Sequence, residues 1–88
     1  MRFEWDRAKS EANEAKHGIS FEEARELWGD PDALVVPARK RGEHRFMLIA
    51  SLSGSVWSAV FTKRGDSVRI ISVRPATDTE RKAYYGSL

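Results

Sequence analysis

An α+β fold is predicted for this chain: an antiparallel β-sheet meander packed with two N-terminal helices and a short C-terminal helix. Three observations predict it. Apolar residues keep helical spacing as far as Gly29, then change to strand-like runs after Asp30-Pro31. Helix-start signals occur at Asp6, at Ser20-x-x-Glu23 and at Thr77-x-x-Glu80. The later apolar runs are joined by Leu52-Ser53-Gly54-Ser55 and Lys63-Arg64-Gly65-Asp66, links short enough to make their strands antiparallel neighbours.

Taken in order, a short strand over Arg2–Trp5 leads to Asp6, which caps a helix running to His17 and stopping at Gly18. Ala8, Ala12 and Ala15 form a small-residue stripe expected to pack. Lys9, Asn13 and Lys16 form a separate polar stripe at the same spacing. The second helix presents Phe21, Ala24, Leu27 and Trp28 and ends at Gly29. Strands are then expected over Ala33–Val36, Arg45–Ser51, Val56–Thr62 and Ser67–Arg74, with Pro37–Glu43 as a basic loop. Because Phe46-Met47-Leu48-Ile49-Ala50 is apolar at both parities, both sheet faces should be covered there. The N-terminal helices cover one face, and a helix ending near Tyr85 covers part of the other.

Length and composition narrow the function classes. At 88 residues the chain is expected to be one domain, 1–88, burying about 60% of its unfolded surface. There is no cysteine, so no disulfide framework or thiolate nucleophile, and His17 and His44 are too few to build a zinc site. The N-terminus is charged where a secretory signal would be apolar, and no run approaches the roughly 20 apolar residues of a membrane span. A cytoplasmic protein without membrane contact is expected. The net charge of +2 hides an asymmetry, since residues 1–34 carry 5 Lys/Arg against 9 Asp/Glu and residues 35–88 carry 10 against 4. The second half can attract a polyanion. Glu22, Glu23 and Glu26 read as a solvated helix face.

The chemistry-bearing residues gather at element ends. Arg74 closes the last strand just before the helix carrying Glu80, Arg81 and Tyr84. Strict alternation puts Arg69 on one face of that strand, with Ser72 and Arg74 on the other. A guanidinium holds phosphate oxygens bidentately and stabilises charge developing on phosphorus. The same Arg74 can equally pair with Glu80, and the sequence leaves both readings open. Lys16 and His17 suit a helix C-terminus electrostatically, while histidine is also the natural proton carrier near neutrality. Lys9 and Asn13 read as a solvated face or as RNA-orienting groups. His44 reads as structural or exposed, and Trp5, Trp28 and Trp57 as core or interface.

Two signatures bracket the chain: Phe3-Glu4-Trp5-Asp6-x-x-Lys9-x-x-x-Asn13-x-x-Lys16-His17-Gly18 in front and Arg69-Ile70-Ile71-Ser72-Val73-Arg74-x-Ala76-x-x-x-Glu80-Arg81-x-x-Tyr84 behind. In both, the chain resembles the BrnT family of bacterial type II toxins, small ribonucleases with a RelE-like fold neutralised by a BrnA antitoxin. The resemblance spans nearly the whole chain. It implies metal-independent RNA cleavage without a cofactor, inhibition of translation and growth, and a toxin dimer held with two antitoxin chains that repress their own operon. The front motif maps to Lys9, Asn13, Lys16 and His17, and the back motif to Arg69, Arg74, Glu80 and Tyr84. On this reading the 2′-hydroxyl attacks the adjacent phosphate while Arg74 and Arg81 stabilise charge, Lys16 holds phosphate, and His17, Glu80 or Tyr84 moves protons. Lys9, Asn13, Lys63, Arg64 and Arg69 would bind RNA, free or on the ribosome. Acidic antitoxin groups would face Arg39, Lys40, Arg41, Lys63 or Arg64, covering an apolar patch near the tryptophans. The contrasting expectation is a non-catalytic nucleic-acid-binding or protein-interaction module.

Overall fold

Four strands form the expected meander, and a fifth joins it in parallel. The computed structural model describes residues 1–40 and 43–88, apart from the side chains of Arg39, Lys40 and Glu43. The elements are β1 (Arg2–Trp5), α1 (Arg7–His17), α2 (Phe21–Ala24) continued by a 3₁₀ helix (Arg25–Gly29), β2 (Leu34–Lys40), β3 (Glu43–Leu52), β4 (Ser55–Arg64), β5 (Ser67–Pro75) and α3 (Asp78–Gly86). The sheet order is β1-β5-β4-β3-β2. β2 to β5 are antiparallel to their neighbours, whereas β1 runs parallel to β5 with Phe3 opposite Val68 and Trp5 opposite Ile70. The sheet is therefore mixed, not a pure antiparallel meander. A four-residue first strand carries no local signal for its partner, and only the unfilled edge of β5 decides it.

The local chemistry explains the other elements. Asp6 accepts from the Lys9 N–H at 3.0 Å, and Gly18 ends α1 at φ 79°, where a side chain would be strained. Both Ser20 and Thr77 form complete capping boxes, with Glu23 and Glu80 respectively. After one α turn the second helix tightens to 3₁₀, so Phe21, Ala24 and Leu27, three apart, all point inward and are buried. Ser53 and Gly54 both have positive φ, 52° and 84°, as a two-residue hairpin of right-handed twist requires.

Pro37 to Lys40 and Glu43 are strand rather than loop: Pro37 lies opposite Phe46 and Lys40 opposite Glu43, while Arg41 and Gly42 lie outside the described residues. Proline is tolerated because β2 is an edge strand, whose outer side needs no ladder donor.

One sheet face buries Leu48, Ala50, Ala59, Phe61, Val68, Ile70 and Val73 against Ile19, Phe21, Ala24 and Leu27. An aromatic chain extends this layer, with Trp28 meeting Phe3 at 5.2 Å and Phe61 at 5.3 Å, both edge to face. The opposite face buries Ile49 and Val56 with Ala76 and Tyr84 from the α3 end. Both expected covers are present. Trp5, Trp28 and Trp57 pack half-buried against the first layer; the exposed large apolar residues among those described are Met1, Val35, Tyr85 and Leu88.

α1 docks differently from expectation. Ala8, Ala12 and Ala15 are exposed, and the inward stripe is Ser10, Asn13 and His17. Alanines bury too little area to outweigh what a polar stripe gains by hydrogen bonding to backbone ends. Ser10 Oγ accepts from the Phe21 N–H at 2.9 Å, the Asn13 amide donates to the Ile19 carbonyl at 2.9 Å, and Asn13 Oδ1 accepts from the Val73 N–H at 3.1 Å. That last bond satisfies the stretch of β5 edge left bare beyond Ile70, the partner of the last β1 residue, Trp5.

Candidate functional site

A β-bulge sets the geometry. Along β4, Thr62, Val60 and Ser58 are alternate residues of one face, and they lie opposite Arg69, Ser72 and Arg74 of β5. Ile71 is passed over at the register shift between Val60 and Phe61. Arg69, Ser72 and Arg74 therefore share one face, correcting the alternation that put Arg69 opposite the other two. One extra residue is enough to reverse the parity of everything beyond it.

At the strand end, Arg74 and Glu80 form a forked ion pair, Nη1 to Oε1 at 2.8 Å and Nη2 to Oε2 at 3.0 Å. Ser58 Oγ donates to Glu80 at 2.7 Å and the Thr77 N–H at 2.9 Å. The Arg74 guanidinium above all holds the Glu80 carboxyl down at about 2, against the opposing effect of burial, with Thr77 and Ser58 assisting. Arg74 is raised in turn by its bond to Glu80, and its Nη atoms also reach the Pro75 carbonyl at 3.3 Å and Met47 Sδ at 3.8 Å. Both readings of Arg74 thus begin from the same fact: the ion pair exists, and 40% of the arginine side chain stays exposed.

That exposed part opens on a groove of about 380 Å³ between α1 and β5. Lys9, Asn13, Lys16 and His17 line it from the helix, Ser72 and Arg74 from the strand. The two end signatures, far apart in the chain, meet here. A second groove of about 460 Å³ shares Lys9 and Ile71 with the first and adds Arg45, Thr62, Lys63, Arg64 and Arg69. The side chains of Arg39, Lys40 and Arg41 lie outside those described.

The family model of the BrnT ribonuclease toxin of type II toxin–antitoxin systems matches residues 5–80. The chain belongs to the BrnT family. It is accordingly a toxin of the ribonuclease class, and a type II system implies a protein antitoxin as its partner. No curated protein matches the chain.

In this BrnT-family chain, Arg81 and Tyr84 fall beyond the matched segment and outside both grooves. Arg81 donates to the Ala76 carbonyl at 2.8 Å and to the Asp78 carboxylate. Tyr84 is 4% exposed, and its hydroxyl donates to Asp30 Oδ2 at 2.6 Å. That bond and burial push the phenol up to about 12. Asp30 also accepts from the Ser51 N–H at 2.8 Å and the Asp32 N–H at 2.9 Å; burial opposes its charged form, but these bonds outweigh it and lower its pKa. Asp30, read from the sequence only as a chain break, ties α3 to β3. Ser58 was equally unmarked, its one signal being a small hydroxyl in an apolar strand opposite Arg74. Arg45, in the second groove, was read only as a strand start.

Proposed function

We propose that this BrnT-family toxin is a metal-independent endoribonuclease that cleaves RNA in the groove between α1 and β5. The observation that carries the reading is the convergence of Lys9, Lys16, His17 and Arg74 on that groove. In the reaction the 2′-oxygen attacks the adjacent phosphorus, the 5′-oxygen leaves, and a 2′,3′-cyclic phosphate remains. Arg74 stabilises the charge on the phosphoryl oxygens, Lys16 holds phosphate, and His17 moves protons between the 2′-hydroxyl and the leaving oxygen. Glu80, ionised and bonded through both oxygens, orients Arg74 rather than exchanging a proton. Tyr84, with its proton committed to Asp30, anchors α3.

The two end motifs support extending the reading to kinship with RelE-like toxins, to cytoplasmic inhibition of translation, and to neutralisation by a BrnA-like antitoxin in an assembly of two toxin and two antitoxin chains. A binding module is the second reading, favoured by the ion pair through which Glu80 neutralises Arg74. Purified, antitoxin-free protein incubated with RNA in excess chelator decides between them. Cyclic-phosphate or 3′-phosphate ends are expected, with Arg74→Ala slowing cleavage about 100-fold or more. Intact RNA that shifts on a gel would replace the enzyme reading with the module.

A further inference from the structure

The second groove has a feature that cleavage alone does not require. The carboxylate of Glu4 stands beside its arginines: Glu4 Oε1 lies 3.3 Å from Arg64 Nη1 and 3.7 Å from Arg69 Nη1. Lys63 is held apart from this pair, its ammonium 5.7 Å from the centre of the Phe46 ring. Lys9 belongs to both grooves. Glu4 pairs with both Arg64 and Arg69, and Lys9 adds a third cation, so positive charge exceeds negative among these four residues. The arginines are not solvated at random: a shared acceptor spreads them across the β1–β5 seam, where Glu4 and Arg69 are register partners. The bulge at Ile71 then aligns Arg69 with Arg74 on one face, about 13 Å apart along the strand.

We propose that this groove is a second phosphate subsite, which takes the single-stranded RNA flanking the scissile phosphate. In it Glu4 holds Arg64 and Arg69 in place and weakens their grip on phosphate. The inference rests on the ribonuclease reading for the word "flanking", but not for the binding itself. A strand leaving Arg74 passes Lys9 and Ile71, which belong to both grooves, and its next phosphates meet Arg64 and Arg69, while Lys63 turns to the other face of β4 beside Phe46. Single-stranded RNA suits this surface because a series of separate cations follows a flexible phosphate chain without demanding helical geometry. Glu4 has a double effect. Its charge opposes the ligand's, while its two contacts reduce the side-chain entropy that the arginines lose on binding.

The test compares a short RNA confined to the first groove with a longer one, using oligonucleotides 2′-deoxy at the cleavage position for binding and all-ribose ones for cleavage. Arg64→Gln/Arg69→Gln is expected to raise Kd and KM for the longer RNA roughly tenfold and to leave kcat unchanged. The log–log salt slope should fall by about 1.4, two single-strand phosphate contacts, and the short RNA should be unaffected. Glu4→Gln is expected to tighten the longer RNA roughly threefold. Thermal melts confirm that each variant is folded, and since Arg64 and Glu4 are substantially exposed, little change is expected. Equal effects on both RNA lengths, no effect on either, or weaker binding in Glu4→Gln would overturn the subsite. So would loss of affinity for a purified antitoxin with RNA binding intact, which would assign the groove to that protein. If the chain cleaves nothing, the uncleavable RNA still decides the subsite, so its failure and that of the ribonuclease reading are separable.

Discussion

Replacing Glu80 by glutamine isolates the charge at the centre of the candidate site. Glutamine keeps the side-chain length, can still complete the capping box with Thr77 and can still accept from Ser58, so the main loss is the negative charge facing Arg74. A carboxyl lowered from 4.5 to about 2 on folding corresponds to about 3 kcal/mol of stability at neutral pH. Solvent reaches 40% of the Arg74 side chain, and the screening this brings reduces the expectation to about 2 kcal/mol. The sign follows from the direction of the shift. The folded value lies below the unfolded one, so the contribution is complete above about pH 4.5 and disappears as pH falls towards 2. Thermal unfolding followed by circular dichroism should therefore show Glu80→Gln melting about 8–15 °C below wild type at pH 7. Chemical denaturation at pH 7, 4.5 and 2.5 should show the gap closing. A gap at pH 7 below about 0.5 kcal/mol, or one that persists undiminished at pH 2.5, refutes the argument, because neither fits a pair whose value lies in the carboxylate's charge.

Three further outcomes test other joints of the structure. Asn13→Ala removes the link between the Ile19 carbonyl and the Val73 N–H and should cost about 2–3 kcal/mol; activity per folded molecule should also fall, as Lys16 and His17 lose their register with Arg74. Unchanged stability and activity would return Asn13 to a solvated role. Tyr84→Phe should cost about 1–2 kcal/mol at pH 7 with activity per folded molecule unchanged. Because the folded phenol is raised from 10.0 to about 12, wild type should lose this contribution as pH climbs above about 10, a loss absent from the variant in pH-jump denaturation. His17→Gln should remove any inflection near neutrality from the pH–rate profile, and an inflection that survives the substitution would assign proton transfer elsewhere.

Much of the fold was legible because it rests on local chemistry. The capping boxes at Ser20 and Thr77 mark helix starts through neighbours three residues apart, and the double-parity run at residues 46–50 required cover on both faces. The front and back motifs were legible as well, and so was their family. Other features depended on partners distant in the chain. The alanines of α1 look like a packing stripe until the backbone ends of Phe21, Ile19 and Val73 arrive, whereupon the inward positions go to Ser10 and Asn13. Pro37 looks like a loop residue until its strand is found on the sheet edge.

The sequence by itself thus determined the elements whose free energy is settled within a few residues, and the residue types that make a phosphate-binding chemistry available. Tertiary structure alone decided that β1 lies parallel to β5, that a bulge at Ile71 turns Arg69 to the same face as Arg74, and that Lys16 and His17 share a groove with Arg74 while Arg81 and Tyr84 do not. The physical reason is common to all three. Strand pairing, bulge position and hydrogen-bond satisfaction at element ends are competitions among groups brought together only by the collapsed chain, and no window of sequence contains both competitors.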